Sequence, residues 1–103
     1  MNSLPQSKNN KILEHLILNR SLFDNFDHVY LFGSVLRVDV LPNDIDLLLV
    51  YSAFSPTLRD ANDLIRDRLE KELQYPIDIT VLSRGELMET DFLSRIGKYE
   101  QIK

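Results

Sequence analysis

Two aspartates stand at the start of an apolar segment, where a carboxylate is unusual. Asp44 and Asp46 flank Ile45 directly before the run Leu47–Val50. Because side chains alternate across a strand, both carboxylates should share one face, where their charges repel each other. A carboxylate next to a buried run is costly unless a positive group meets it. Mg²⁺ would relieve that cost, since it takes oxygen ligands and often binds through carboxylates and substrate phosphates.

A third aspartate, Asp78, lies among apolar and β-branched residues in the segment Ile77–Val81. Taken alone, Asp78 is better explained as a solvent-facing residue of a half-buried sheet, and Asp44 as ordinary turn chemistry beside Pro42-Asn43. Asp46 fits such an explanation less well, because the apolar run follows it. Three carboxylates on two adjacent strands can converge on one point, so the set favours a functional site.

The pair Gly33-Ser34 ends the first predicted strand, shortly before the two aspartates. Glycine lets the backbone approach a ligand closely. The amides that follow, with the Ser34 hydroxyl, offer hydrogen-bond donors to a phosphate. Carboxylates for Mg²⁺ and a phosphate cradle together indicate phosphoryl-group chemistry on a nucleoside triphosphate.

The predicted elements that position these residues follow the order α-β-β-α-β-α. Helices are expected over about 8–20, 56–73 and 84–96, and strands over about 28–32, 45–51 and 77–82. Ser34 is expected to cap a short helix through Arg37, and Ser83–Glu86 reads as a capping box. The fold class is therefore α/β (α+β), a small mixed sheet flanked by helices.

Within the second long helix, apolar residues recur at helical spacing and predict one buried stripe. The stripe consists of Leu58, Ala61, Leu64, Ile65, Leu69 and Leu73. Residues 97–103 are too few and too polar to assign to an element.

The composition limits the classes of function that the chain can have. The chain has 103 residues, 44% of them hydrophobic, which fits one compact domain over 1–103 with residues 1–8 frayed. The net charge of −4 argues against broad electrostatic binding of nucleic acid. The absence of cysteine excludes disulfides, thiolate zinc sites and a cysteine nucleophile. Without a signal-peptide core or a membrane-length apolar run, a cytoplasmic protein is expected.

The combined motif resembles the DNA polymerase β-type nucleotidyltransferase superfamily, over about residues 12–96. The resemblance rests on three segments, Leu31-Phe32-Gly33-Ser34, Asp44-Ile45-Asp46-Leu47 and Ile77-Asp78-Ile79. The length of the chain resembles that of the minimal nucleotidyltransferases, or MNT proteins. The resemblance implies the nucleotidyltransferase fold.

The resemblance also implies roles for single residues. Asp44 and Asp46 would bind two Mg²⁺ ions, and Asp78 would join one ion and help to activate the attacking hydroxyl. Gly33 and Ser34 would hold the triphosphate of ATP or another NTP. Attack on the α-phosphate would transfer a nucleoside monophosphate, expected to be AMP, and release pyrophosphate. For Arg37, contact with a phosphate and a plain surface role are equally supported.

A chain this short has no room for an acceptor domain, so the acceptor site is expected from a partner, a second copy or a protein acceptor. The resemblance points to a helical HEPN-domain protein in a toxin–antitoxin pair, in which the minimal nucleotidyltransferase is the antitoxin. The apolar faces of the first and last helices suit such a contact, but core packing is the more usual role of such residues. These residues are Leu13, Ile17, Met88, Phe92 and Ile96.

Two departures from the family pattern bear on activity. Nine residues separate Ser34 from Asp44, one fewer than in many relatives, and Val38 stands where many relatives have glycine. Three hypotheses follow. The chain is an active enzyme, a nucleotide-binding or antitoxin subunit that acts by complex formation, or a structural domain with incidental acidic residues. The intact set of three aspartates favours the first hypothesis, and the shortened loop and small size favour the second.

Overall fold

The computed structural model describes residues 4–37, 39 and 41–103, and it shows a mixed four-stranded sheet with helices on both faces. The helices are α1 (Leu4–Leu18), α2 (Pro56–Leu73), α3 (Arg84–Thr90) and α4 (Phe92–Ile96). The strands are β1 (His28–Phe32), β2 (Ile45–Tyr51), β3 (Ile77–Ser83) and β4 (Tyr99–Gln101), in the spatial order β3-β2-β1-β4. Two 3₁₀ turns follow α1 and β1, at Arg20–Phe23 and Gly33–Leu36. The predicted fold class is confirmed.

The register of the sheet decides which side chains meet. β1 and β2 are antiparallel and place Phe32 opposite Asp46. β2 and β3 are parallel and place Asp46 opposite Asp78. α2 is the crossover between these two parallel strands, in keeping with the need of a parallel pair for a long connection. Asp46 and Asp78 therefore lie side by side on one face of the sheet.

The main core lies between the opposite face of the sheet and the helices α1 and α2. Leu47 and Leu49 of β2 are fully buried there, against Ile12 and Leu16 of α1 and the stripe of α2. Leu64 does not belong to that stripe, because 60% of its surface is exposed. Its neighbour Ile65 points toward the sheet and is fully buried. Consecutive side chains of a helix point about 100° apart, so Leu64 points away from the sheet.

The short helices α3 and α4 cover part of the sheet face that carries the aspartates. Leu87, Phe92 and Leu93 pack on a smaller cluster centred on Leu48 and Val50. Met88 is 82% exposed, so the expectation that it lines a core face with Phe92 is wrong.

The predicted single helix over 84–96 is two helices. α3 begins with the predicted capping box, in which Ser83 Oγ accepts from the Glu86 N–H and the Glu86 carboxylate accepts from the Ser83 N–H. The helix ends where Asp91 adopts a left-handed conformation with φ of 52°. Aspartate tolerates this conformation better than most residues, and it breaks the helical hydrogen-bond ladder.

Strand β4 was not predicted. Its residues are exposed, but the following residue, Ile102, is buried and its N–H donates to the Val29 carbonyl at 2.8 Å. The Lys103 ammonium group donates to the Phe23 and Phe26 carbonyls. One anchored apolar residue in a polar segment leaves too weak a pattern for a sequence-based prediction.

The amino-terminal helix α1 begins at Leu4 rather than at about Lys8. Residues 1–3 of the segment expected to be frayed lie outside the described residues, as does Val38. In the part of the chain that the structure describes, no helix combines the length and apolarity needed to cross a membrane.

Candidate active site

Gly33 is the point where the chain turns away from β1 directly beside Asp46. Its φ is +85°, a conformation that residues with a side chain rarely adopt. A Cβ atom at this position would collide with Oδ2 of Asp46. Both the backbone conformation and the available space therefore require glycine here.

The three predicted aspartates converge next to this turn. Carboxylate oxygens of Asp44, Asp46 and Asp78 all lie within 4.8 Å of one another. Asp44 and Asp46 are half-buried, and Asp78 is exposed. Two hydrogen bonds hold the strand starts in place. The Ile45 N–H donates to the Pro76 carbonyl at 2.9 Å, and the Ile77 N–H donates to Glu70 Oε2 at 2.9 Å.

The electrostatics of this cluster are unfavourable for three negative charges. The pKa of the Asp46 carboxyl is raised to about 6, first by burial, then by the charges of Asp44 and Asp78 and a hydrogen bond to the Asp78 carboxyl. The group therefore holds a proton at pH values at which an ordinary aspartate is ionised. A cation at this point would reverse the effect, because it stabilises the charged form.

Ser34 and Arg37 lie in the turn that follows Gly33. The turn is one 3₁₀ helix in which the half-buried Ser34 is the second residue, and its carbonyl accepts from the Arg37 N–H at 3.0 Å. The predicted cap at Ser34 is wrong, because the positive φ of Gly33 starts the turn earlier and Phe32 precedes it. The Arg37 guanidinium forms an exposed ion pair with Asp39 at 3.2 Å.

A comparison with models of protein families matches residues 9–101 to the nucleotidyltransferase domain. The chain belongs to the nucleotidyltransferase-domain family. The match covers most of the chain and includes all three aspartates and the Gly33-Ser34 turn. The family indicated by the sequence motifs is thereby confirmed.

Solved structures share the fold of this nucleotidyltransferase domain. A protein from Sulfolobus solfataricus assigned as a nucleotidyltransferase is 24% identical, with a TM-score of 0.53 over 98% of this chain and 87% of the other. A chain from the complex of a tri-AMPylated Shewanella oneidensis HEPN toxin with its MNT antitoxin is 19% identical, with a TM-score of 0.51 over 97% of this chain and 72% of the other.

A third similar structure is a mutant of the toxin–antitoxin pair MntA-HpeT. The aligned chain is 18% identical, with a TM-score of 0.55 over 92% of this chain and 72% of the other. A search of curated protein sequences found no match. At these identities the likeness establishes the fold.

The donor set of the nucleotidyltransferase domain fits a hard divalent cation. Three carboxylates with oxygens within 4.8 Å of one another offer the ligand type that Mg²⁺ prefers. The glycine at position 33 leaves the Asp46 carboxylate the space that a Cβ atom would fill. The site residues thus suit Mg²⁺ and the phosphates that Mg²⁺ binds.

One neighbour of the site was missed in the sequence. Phe32 lies opposite Asp46 in the sheet, on the same face, and its ring makes an edge-on contact with Phe92 at 5.6 Å between centroids. On its other side Phe32 pairs with Tyr99 of β4. Strand alternation places Phe32 on the face opposite Leu31, but only the register of two antiparallel strands shows that this is the face of Asp46.

Proposed function

We propose that this nucleotidyltransferase domain transfers the nucleoside monophosphate of an NTP, AMP from ATP in the first instance, to a hydroxyl group of a partner protein. The observation that carries the proposal is the convergence of Asp44, Asp46 and Asp78 beside the obligatory glycine at position 33. In-line phosphoryl transfer needs such a set of carboxylates for metal ions and a close backbone approach for the phosphates.

In the reaction, the acceptor oxygen attacks the α-phosphorus and a new phosphorus–oxygen bond forms. The bond from the α-phosphorus to the bridging oxygen breaks, and pyrophosphate leaves. Asp78 is exposed, so an acceptor can reach it from solvent, and we assign its carboxylate the proton of the attacking hydroxyl. Backbone amides of the turn at Gly33 and Ser34 orient the triphosphate.

Two Mg²⁺ ions held by Asp44, Asp46 and Asp78 would neutralise the carboxylates and stabilise the negative charge on the phosphates. Because the carboxylates would hold these ions, the positions of the carboxylates determine where the α-phosphate binds. Asp46 is fixed by its central position in the sheet, between Phe32 and Asp78. Arg37 is a candidate phosphate contact only if its ion pair with Asp39 opens.

For the partner we propose a helical HEPN-type protein and an antitoxin role for this chain. The support is the fold shared with chains of an MNT antitoxin–HEPN toxin complex and of MntA-HpeT, together with the family match. The exposed Ile17 and Met88 are available for such a contact, whereas Leu13, Phe92 and Ile96 are partly buried.

A second candidate function is neutralisation of the partner by complex formation, with little or no transfer. The feature that favours it is the spacing of nine residues between Ser34 and Asp44, which is short for the family that the motifs resemble.

A transfer assay separates the two functions. The protein is incubated with labelled ATP, Mg²⁺ and the product of the neighbouring reading frame. The variant Asp44→Asn/Asp46→Asn is the inactive control, and Asp60→Asn, on the exposed side of α2, is the matched control for loss of a carboxylate. Label on the neighbour with the wild type and Asp60→Asn alone supports protein nucleotidyltransfer.

The remaining outcomes contradict transfer to that neighbouring protein. If no label moves and the complex persists in the double variant, the chain acts by binding. If neither label nor complex appears, the partner assignment is wrong, and small-molecule hydroxyl acceptors are tested with the same two variants.

A further inference from the structure

Strand β3 is an edge of the sheet, and one side of its backbone faces away from every other strand. In the spatial order β3-β2-β1-β4 its neighbour is β2. The Pro76 carbonyl points to β2 and accepts a hydrogen bond from it, whereas the next residue, Ile77, points outward and donates to Glu70 Oε2. Backbone groups alternate in direction along a strand, so those of Ile79 and Val81 also point outward. In the described part of the chain, no strand meets these groups.

This edge lacks the features that usually keep the edge of a sheet from pairing. Natural edge strands are short, or they carry lysine, proline or a bulge. The opposite edge, β4, has three residues, whereas β3 has seven and includes no lysine, proline or glycine. Its one charged residue, Asp78, belongs to the acidic site. The outer side of β3 is therefore a regular template to which a further strand can bond.

Helix α2 lies beside this edge and adds a row of half-buried polar side chains to it. Glu70 is level with the start of β3, because its carboxylate accepts from the Ile77 N–H. Asn62 is level with Val81, because both residues line one cavity near the other end of the strand. Arg66 lies one helical turn from each of these two polar residues and belongs to the same row. The row thus follows β3 over most of its length.

A second copy of β3 fits this edge when it runs antiparallel about a twofold axis through Thr80. Ile79 of each copy then lies opposite Val81 of the other, and each such pair exchanges two hydrogen bonds, about four in all. Asp78 lies opposite Leu82 of the second copy rather than opposite another carboxylate. The strand pairs in this register without placing like charges together.

The same axis brings the two copies of α2 together with complementary charges. Each α2 covers a pair of parallel strands, so the two helices lie about two strand spacings, or about 10 Å, apart, a usual distance for packed helices. The axis passes about half a turn before Arg66, which then faces Asp63 of the second copy, while Arg59 faces Glu70. An axis through Ile79 would instead set Arg66 against its own copy. Charge therefore selects the first of these two registers.

We propose that two copies of this domain associate through the outer edge of β3 and join their two four-stranded sheets into one. The helical partner protein proposed above offers no strand for this edge, whereas the chain offers its own. Because the twofold axis is perpendicular to the sheet, both acidic sites open on the same face of the dimer. The inference goes beyond the proposed function, since the association needs neither nucleotide nor metal.

The first test places a cysteine on the axis, in a chain that has no cysteine of its own. The two copies of Thr80 form a pair without mutual hydrogen bonds, with Cα atoms about 4.5 Å apart. This distance lies within the range of a disulfide. Thr80→Cys should therefore cross-link to a dimer on oxidation with diamide, and Asp60→Cys, on the exposed side of α2, should stay uncross-linked.

The second test is sedimentation equilibrium of the full chain, whose mass of 12.0 kDa should double. Val81→Pro removes an outward N–H and leaves the ladder to β2 intact, so it should weaken association about tenfold or more. Arg66→Glu sets like charges across the axis and should have a similar effect. It also serves if Val81→Pro does not fold. Arg68→Glu, on the other side of α2, is the matched control and should associate as the wild type does.

Hydrogen exchange identifies the surface that associates. The amides of Ile79 and Val81 should be protected in the dimer and should exchange rapidly when dilution gives the monomer. The amide of Thr80, which bonds to β2, should stay protected in both. A protein that remains monomeric at millimolar concentration overturns the proposal and leaves this edge to a strand of another protein. A dimer in which Ile79 and Val81 exchange rapidly also overturns it, as does a folded Thr80→Cys variant that does not cross-link.

Discussion

At the scale of single residues, Gly33 and Asp46 depend on each other. The positive φ of Gly33 turns the chain next to the carboxylate, and the missing side chain leaves the carboxylate its space. Asp46 in turn sits between an aromatic residue, Phe32, and a second carboxylate, Asp78. The backbone conformation at position 33 and the close neighbours of position 46 therefore restrict which residue types fit at either position.

We expect Gly33→Ala to destabilise the fold by about 1–3 kcal/mol, because the new Cβ atom meets Asp46 and the φ is strained. The matched control is Gly85→Ala in α3, where the nearest atom is Ser83 Oγ at 3.9 Å and a helix former replaces glycine. That control should be neutral or stabilising by up to about 1 kcal/mol. Urea denaturation gives both values, and equal losses would contradict the steric argument.

Asp46 makes stability depend on pH in the metal-free protein. Its pKa is about 6 in the folded state against an ordinary value of 3.8, so the folded state binds more protons between these values. The contribution of Asp46 to stability is therefore present below pH 3.8 and is lost as pH rises through about 6. Asp46→Asn should remove this loss and be more stable than the wild type at pH 7 by about 1–2 kcal/mol, allowing for solvent screening.

The measurement is the difference in unfolding free energy between wild type and Asp46→Asn from pH 4 to pH 8 in EDTA. Taking the difference cancels the titrations of groups that do not interact with Asp46. One of these is the pKa of Glu72, which hydrogen bonds from His15 and Arg68 lower and which acts in the opposite direction. A difference that does not change with pH would show that the Asp46 carboxyl is not perturbed.

At the scale of elements, β4 and the residues after it tie the sheet edge to the loop that follows α1. Ile102 is buried and bonded to Val29, and the Lys103 ammonium group bonds to carbonyls of Phe23 and Phe26. β4 also supplies Tyr99, the neighbour of Phe32 beside the acidic site. This short strand therefore supports the face on which the aspartates lie.

We expect Ile102→Ala to cost about 2–4 kcal/mol, the usual range for removal of a buried aliphatic side chain. Ile17→Ala is the matched control, because Ile17 is 44% exposed and should cost less than about 1 kcal/mol. Hydrogen exchange should show faster exchange at the amides of Ile102 and Lys103 in the first variant alone. Unchanged protection would contradict the role of Ile102 as an anchor.

In the molecule as a whole, the aspartate cluster and a cavity lie at opposite ends of the parallel strand pair. One end carries Asp46 and Asp78, and the other carries the cavity at Asn62. Strand β2 connects them through fully buried residues, Leu47 to Val50. These buried residues separate the two ends of the strand. A substitution at one end therefore makes no direct contact with the other end.

Mg²⁺ should stabilise the whole domain, because a ligand that binds only the folded state raises stability by mass action. At a concentration of 100 times its dissociation constant the gain is about 2.7 kcal/mol. Thermal unfolding with and without Mg²⁺ measures it, with Asp60→Asn as the variant that keeps the gain and Asp44→Asn/Asp46→Asn as the variant that loses it. The gain should be smaller at pH 5 than at pH 7, because protonation of Asp46 competes with the metal. An equal gain in the double variant would place the ion elsewhere.

The local patterns were sufficient for most elements. The bounds of β1 and β2 and of helix α2 agree with the sequence predictions, because Gly33, the Pro42-Asn43 turn and Ser55-Pro56 are strong local signals. Apolar periodicity gave wrong predictions at two positions, because it does not specify which apolar side chains reach the core or where a residue leaves the helical conformation. Leu64 shares the apolar character of Ile65 and yet is exposed, and Asp91 breaks a helix whose apolar periodicity continues.

The amino-acid sequence alone predicts three converging carboxylates, a Gly-Ser turn beside them, and the order along the chain of the strands that carry them. Residue type and spacing suffice for this, since strand alternation and turn chemistry are local properties. The folded structure adds that Asp46 and Asp78 are register partners, that Phe32 stands beside them, and that the Oδ1 atom of Asn62 is buried without a donor. These facts depend on strand register and on packing between distant segments, which no local pattern specifies.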